Sequence, residues 1–242
     1  ALLPTDHPLE GMKQWRLYYS VSEDGGETRL FEEPIIHEGA DYDALHPFPG
    51  AWVGKNSIML GDLTCSPLSL ADGTILVPCQ FTPIGPDGSY YNPGGGLSYH
   101  YAAVLIGRWR PDKRLAWTMS RPVEGDPAQT TRGMVEPTIA GLEDNRLLMV
   151  MRGSNDVKPH LPEYRWFAVS RDDGQTWTKP EPWTYADRSP FFSPSSCSQL
   201  VPHSSGKLFW LGNISAANPR GNGPRYPIVI GEVDRRTGLL IR

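Results

Sequence analysis

The sequence predicts an all-β protein, a β-propeller of four-stranded antiparallel blades whose ring is incomplete in this chain. Three observations carry this. The 242 residues include 25 Gly, 24 Pro, eight Trp and ten Tyr, and no window holds a 3.6-residue apolar period over three turns. Three hairpins follow one plan, an apolar strand, a turn and a strongly apolar strand, with second turn residues Gly73, Asn145 and Gly206, spaced by 72 and 61 residues. Each hairpin is followed by another strand pair. Four antiparallel strands in a repeat of this length make a propeller blade, whereas a sandwich has strands at shorter, unrepeated spacing.

In chain order, residues 1–11 read as an unstructured lead-in. Trp15–Ser22 is a strand by its aromatic and β-branched content, and a second strand follows at Leu30–Ile36, so residues 12–36 form half a blade. Between them lies Ser22-Glu-Asp24-Gly-Gly26-Glu-Thr28-Arg29, and a matching octet runs from Ser170 to Trp177. Both fit Ser-x-Asp-x-Gly-x-Thr: Asp and Ser accept from nearby backbone N–H groups, and Gly takes the left-handed position. The first whole blade, 63–120, reads as Leu63–Leu70, Thr74–Phe81, Tyr99–Ile106 and Leu115–Ser120. The second, 134–183, opens with Val135–Leu142 and Leu147–Met151 around an Asp144-Asn145 turn, two residues that tolerate positive φ. It closes with Tyr164–Ser170 and Trp177–Trp183. The third, 195–242, reads as Ser195–Pro202, Lys207–Ile214, Tyr226–Val233 and Leu239–Arg242. About three and a half blades in a single domain fall short of the four to eight of a closed ring. The chain is therefore expected to be an internal piece of a longer protein, or to close its ring as a homodimer through its unpaired strand edges.

Two charges bracket the second hairpin, Glu136 near its start and Arg152 at its end. Antiparallel pairing puts them at one rim, where they make either a site or a salt bridge. The formal charge of −4 gives no reason to expect nucleic acid, and the basic groups at 108–114 and 220–225 read as solvated loops. No apolar run approaches the ~20 residues of a membrane span, and the start has no signal-peptide pattern. Cys65, Cys79 and Cys197 have no CxxC spacing, and the six His include no HxxxH pair, so neither a disulfide framework nor a zinc site is expected. No compartment follows from these features.

These residues resemble the sialidase (neuraminidase) superfamily, six-bladed propellers carrying Asp-boxes, or BNR repeats. Ser22–Thr28 and Ser170–Trp177 look like its Asp-boxes, and residues 231–238 like a decayed one. Leu70–Pro78 is similar to the third-blade strand, Glu136 with Arg152 to the fourth-blade pair, and Arg225-Tyr-Pro-Ile-Val229 to a fifth-blade segment. The resemblance spans nearly all of 12–242. It implies that Glu136 assists a tyrosine nucleophile and that Arg152 and Arg225 hold the substrate carboxylate. The family's first arginine, its Asp acid/base and its Tyr nucleophile have no matching segment, and Pro137 and Pro227 depart from the usual pattern.

Two arginines from adjacent blades can grip one carboxylate with paired donors, which makes an acidic sugar, sialic or uronic, the expected ligand. A neutral phenol avoids the repulsion an anionic nucleophile meets at an anionic sugar, and a nearby Glu takes its proton. The competing reading is that Glu136 and Arg152 simply stiffen their blade. The loop 83–100 offers Tyr90, Tyr91 and Asn92 for stacking and hydrogen bonding; Gly94–Gly96 reads as a hinge or close-packed turn. Arg132, Gly133 and residues 153–156 belong near the same rim by strand direction. The leading expectation is a sialidase-like glycoside hydrolase acting on a terminal acidic sugar. Alternatives are a non-catalytic carbohydrate-binding or assembly propeller, and a polysaccharide lyase, with His100 or a Tyr as base, or another glycosidase acting on uronate-containing glycans. None requires a cofactor, and no ligand run points to a metal.

Overall fold

The computed structural model describes residues 15–54, 57–61 and 65–242. The lead-in 1–11, residues 12–14 of the half blade, and Leu63 and Thr64 of the expected first blade lie outside these residues. Every regular element among the described residues is a strand, and all the sheets are antiparallel. The half blade is β1 (Tyr18–Val21) with β2 (Phe31–Pro34). A first blade combines β3 (Ile58–Leu60), β4 (Leu68–Ser69), β5 (Ile75–Phe81), β6 (Tyr101–Trp109) and β7 (Leu115–Met119). A second is β8 (Val135–Gly141), β9 (Leu147–Arg152), β10 (Arg165–Ser170) and β11 (Glu181–Pro182). A third is β12 (Gln199–Pro202), β13 (Leu208–Gly212) and β14 (Val229–Val233).

Three strands depart from the sequence expectation. The inner strand expected at 63–70 is two short pieces, β3 and β4, lying against opposite halves of β5, so the blade begins at Ile58. The strand expected over 177–183 shrinks to β11, because Pro180 and Pro182 have no N–H for the ladder. Residues 239–242 pair with the third blade through a single antiparallel bridge, Leu240 to Val233 of β14, where the Ile241 N–H donates to the Glu232 carbonyl at 2.7 Å and the Asp234 N–H to that of Leu239 at 2.9 Å. Leu239 and Leu240 are buried, and the Leu240 backbone bonds to Thr184 and Ala186 of the preceding blade.

The strands pack as the period-2 pattern of a doubly buried sheet demands. All six residues of β9 are buried. Leu147, Met149 and Met151 point into a core shared with the first blade, alongside Leu76, Val104, Ile106 and Trp166. Leu148 and Val150 point the other way, to Trp183, Leu200, Trp210 and Leu240. A third core joins the half blade to the first blade around Ile58, Leu105 and Trp117. Each buried large side chain is worth about 1.5–3 kcal/mol, so these shared walls hold the blades in register.

The outer-rim turns obey local rules. Asp144 and Asn145 have φ of 56° and 55°, the double left-handed conformation of a two-residue hairpin. The two octets fold alike. The Asp24 carboxylate accepts from the Thr28 N–H at 2.9 Å, as Asp172 does from that of Thr176, and Ser22 and Ser170 accept from Gly26 and Gly174 at 2.8 and 2.9 Å. Hydrogen bonds from Ser22 and Thr28 hold the Asp24 carboxyl well below the usual range.

Candidate active site

The inner rim behaves differently. Val135 faces Arg152 and Thr138 faces Val150, so Glu136 and Pro137 together oppose Met151: a β-bulge. Glu136 has a φ of 51°, left-handed backbone for a residue that precedes a proline. Both features disfavour that conformation, at a cost of about 1–3 kcal/mol that surrounding contacts must offset. Gln80, buried at the end of β5, helps hold it by accepting the Glu136 N–H. The bulge turns the Glu136 carboxylate onto the Nη2 of Arg152. The side chains keep only 15% and 8% of their exposure, so this is a largely desolvated ion pair.

The Arg152 guanidinium is fixed from the far side as well. Its Nη1 donates to the Ser195 carbonyl, to Ser195 Oγ at 2.9 Å and to Asn222 Oδ1 at 3.2 Å. Ser195 precedes β12, and Asn222 lies on the loop between β13 and β14, so Arg152 ties the second blade to the third. Directly opposite Arg152 across β9 and β10 stands Arg165, fully buried. It donates to Ser193 Oγ at 2.9 Å and to the Ser196 carbonyl at 2.8 Å, and lies over the Trp210 ring. Burial, with the nearby Arg152 charge, lowers its pKa to about 10, so it stays cationic at neutral pH. Glu163 is buried beside this group; burial pushes its carboxyl up to about 8, although the Asn155 N–H, Arg165 and Arg152 pull the other way. At neutral pH it is therefore largely protonated.

The residues expected to form a site are thus partly brought together. Glu136 and Arg152 meet at one rim and pair. Arg225 sits on the exposed β13–β14 loop, its Nε donating to the Asn222 carbonyl at 3.3 Å, and lines a 220 Å³ cleft with Ser196, Cys197 and Asn213. Its loop therefore reaches Arg152 through Asn222. Tyr91 packs edge-on to Tyr99, and the Asn92 amide donates to the Gly96 carbonyl at 2.8 Å, closing the glycine turn. Tyr90, not Tyr91, is the aromatic beside Arg132. His100, the base of the lyase alternative, is fully buried, and its backbone bonds to Arg132 and Met134; it supports the strand entry. Arg165, Glu163, Ser195 and Asn222 belong to no motif; the only sequence signal for Arg165 is a charge at the mouth of an apolar strand.

Blades that share their cores, carry Ser/Asp/Gly/Thr turns outside and present a buried acid–arginine pair inside define a sialidase-type β-propeller. The chain belongs to the BNR repeat-like domain family, which it matches over residues 7–239. No curated protein sequence matches it. Similar solved structures include the Hadza microbial sialidase Hz136, at 20% identity and a TM-score of 0.53, covering 90% of this chain and 34% of that one. The K499G mutant of NanB sialidase from Streptococcus pneumoniae is 18% identical with a TM-score of 0.51, over 90% of this chain and 26% of that one. A protein of unknown function from Dyadobacter fermentans is 16% identical with a TM-score of 0.54, over 89% and 47%. Likeness at these identities is likeness of fold. The chain spans about a third of the length of Hz136.

Proposed function

We propose that this chain is the acid-sugar-binding part of a sialidase-like glycoside hydrolase. The observation that carries the reading is Glu136: a strained bulge in front of a proline aims a buried carboxylate at Arg152, an arrangement that costs stability where it forms. The carboxylate of a terminal sugar would take the place of Glu136 on Arg152. Glu136, released, becomes a base within reach of a reacting hydroxyl. In sialidase chemistry that hydroxyl is a tyrosine's, and the proton donor is an Asp; the resemblance assigns neither to a residue of this chain. Arg225 and the Tyr91–Asn92 loop belong to the outer part of the same proposal, Arg225 being tied to Arg152 through Asn222.

The test is hydrolysis of a fluorogenic sialoside by this chain and by a longer chain of the same gene, beside Glu136→Gln and Arg152→Ala. Turnover by the longer chain that both substitutions reduce by at least a hundredfold supports the reading. Turnover unaffected by either substitution, or binding of acidic sugars by neither chain, refutes it.

A further inference from the structure

Two loops of different blades are laced together at the inner rim. Asn155, fully buried on the β9–β10 loop, donates to the Pro219 carbonyl at 2.9 Å and accepts from the Gly221 N–H at 2.8 Å, both on the β13–β14 loop. Asn218 returns the contact: its Oδ1 accepts from the Glu163 N–H at 2.8 Å, and its Nδ2 donates to the Leu161 carbonyl at 2.9 Å. Asn155 donates to that same carbonyl at 3.0 Å, so one oxygen joins both amides. Beyond the lacing, the Gly221 carbonyl accepts from the Ser195 N–H at 2.8 Å, and Asn222 is on Arg152. The side-chain amides of two asparagines thus hold the β13–β14 loop against its neighbour.

Glu163 sits inside this lacing. Its N–H is held by Asn218, and its carbonyl accepts from the Ser193 N–H at 3.0 Å. The residue is buried, and neither carboxyl oxygen completes a hydrogen bond. The charged groups around it are occupied. Arg165, two residues on, donates to Ser193 Oγ and the Ser196 carbonyl; Arg152, opposite Arg165 across the strand pair, is on Glu136. Asp156, on the same loop, accepts from the Thr131 hydroxyl and, at 2.9 Å, from the Val157 N–H. From the β13–β14 loop Arg220 donates to the Asp156 carbonyl at 3.5 Å, and the segment before β12 contributes Ser193, which does not titrate. A carboxyl enclosed in this way is cheaper neutral than ionised, in keeping with its raised pKa.

We infer that Asn155, Asn218 and Glu163 form a proton-locked clasp: the two loops stay joined while Glu163 is neutral and part as it ionises. A buried carboxylate needs water or donors, and the closed lacing gives neither oxygen a hydrogen bond; parting the loops lets water in. Gly221 and Asn222 then leave Ser195 and Arg152, so the proton on Glu163 governs how Arg152 is held. The clasp is built from protein groups alone and operates whatever the rim binds.

Trypsin cleavage after Arg220, an exposed residue of the β13–β14 loop, reads the opening, with cleavage after the exposed Arg236 as the reference within the same chain. The closed form holds a proton that the open form releases, so opening becomes easier as pH rises from the ordinary carboxylate range and levels off above about 8. The Arg220/Arg236 ratio is therefore expected to rise roughly tenfold or more from pH 6 to pH 8. Glu163→Gln, which stays neutral, is expected to keep its pH 6 ratio throughout. Asn218→Ala, which removes two of the hydrogen bonds, is expected to raise the ratio about fivefold or more already at pH 6. A wild-type ratio that does not change with pH overturns the proton lock. An equal rise in Glu163→Gln overturns it too, because another group then titrates. Should Glu163→Gln fail to fold, unchanged pH 6 ratios in both Asn155→Ala and Asn218→Ala overturn the clasp.

Discussion

The β8–β9 hairpin has two ends built on opposite principles. At the turn end, Asp144 and Asn145 supply the positive φ that the geometry requires, and neighbouring loops carry exposed aspartates hydrogen-bonded to their own backbone. At the open end, positive φ falls on Glu136 in front of Pro137, and buried ionisable groups collect around it: Arg132, Arg152, Glu163 and Arg165. One end lowers the free energy of the fold at every step; the other raises it at several. Consistency across levels is the default in a folded chain, and its local failure marks where something other than stability was selected. The contrast sets an outer rim that serves folding against an inner rim that carries strain, which is where we propose binding.

The largest test of that contrast is Arg152→Ala. It leaves Glu136 buried without its cation and should cost about 3–5 kcal/mol in urea unfolding, while the double variant Glu136→Gln/Arg152→Met should recover much of the loss. A cost under about 1 kcal/mol would put the pair in the class of solvated surface bridges and erase the difference between the rims. Glu163 gives a pH signature next. Its folded pKa of about 8 lies above its ordinary value of 4.5, so the native chain binds the proton more tightly. Its contribution is full below pH 4.5 and is lost as pH rises toward 8. Glu163→Gln should therefore be more stable than wild type by roughly 4 kcal/mol at pH 8, with the gap closing near pH 4. A gap independent of pH would show that the carboxyl is ionised throughout.

Asp172→Asn probes the other rim, with the opposite sign. Burial raises the Asp172 pKa, but hydrogen bonds from Thr176 and Ser170 outweigh it and leave it depressed. Its stabilisation is thus present above the unfolded carboxylate range and lost on acidification. The variant should cost about 1–1.5 kcal/mol at pH 7 and progressively less on acidification to pH 2, as thermal unfolding at the two pH values would reveal. Smallest is Asn145→Gly, which places the preferred residue in a two-residue turn and should add about 0.5 kcal/mol with acid-sugar binding unaltered. Destabilisation instead would mean that the Asn145 side chain does more than tolerate its φ.

Much of the outer rim was legible in the sequence because turns are local: Asp144-Asn145, and the octets at Ser22 and Ser170, state their geometry in consecutive residues. So were the strands of β5, β6, β8 and β9, whose apolar runs are long. The inner rim was legible only in outline. Glu136 and Arg152 could be placed at one edge by strand direction. Arg165 reaches that edge only through the β9–β10 pairing, and Ser195 and Asn222 come from a different blade. Contacts across blades leave no periodic trace. The split of β3 from β4 and the shortening of the last expected strand to one bridge are likewise decisions of packing between blades, which propensity does not encode.

In most sheets a strand that slips by one residue delivers its apolar side chains to water, and that penalty polices alignment. β9 has no such guard. With Leu147, Met149 and Met151 in one core and Leu148 and Val150 in another, a one-residue slip would exchange greasy surfaces without wetting either. Its alignment must then be enforced from its ends, by the tight turn at Asp144-Asn145 and by the anchoring of Arg152 to Ser195 and Asn222. Arg152, which we propose as a ligand-binding residue, is also the pin that keeps the central strand in its proper frame.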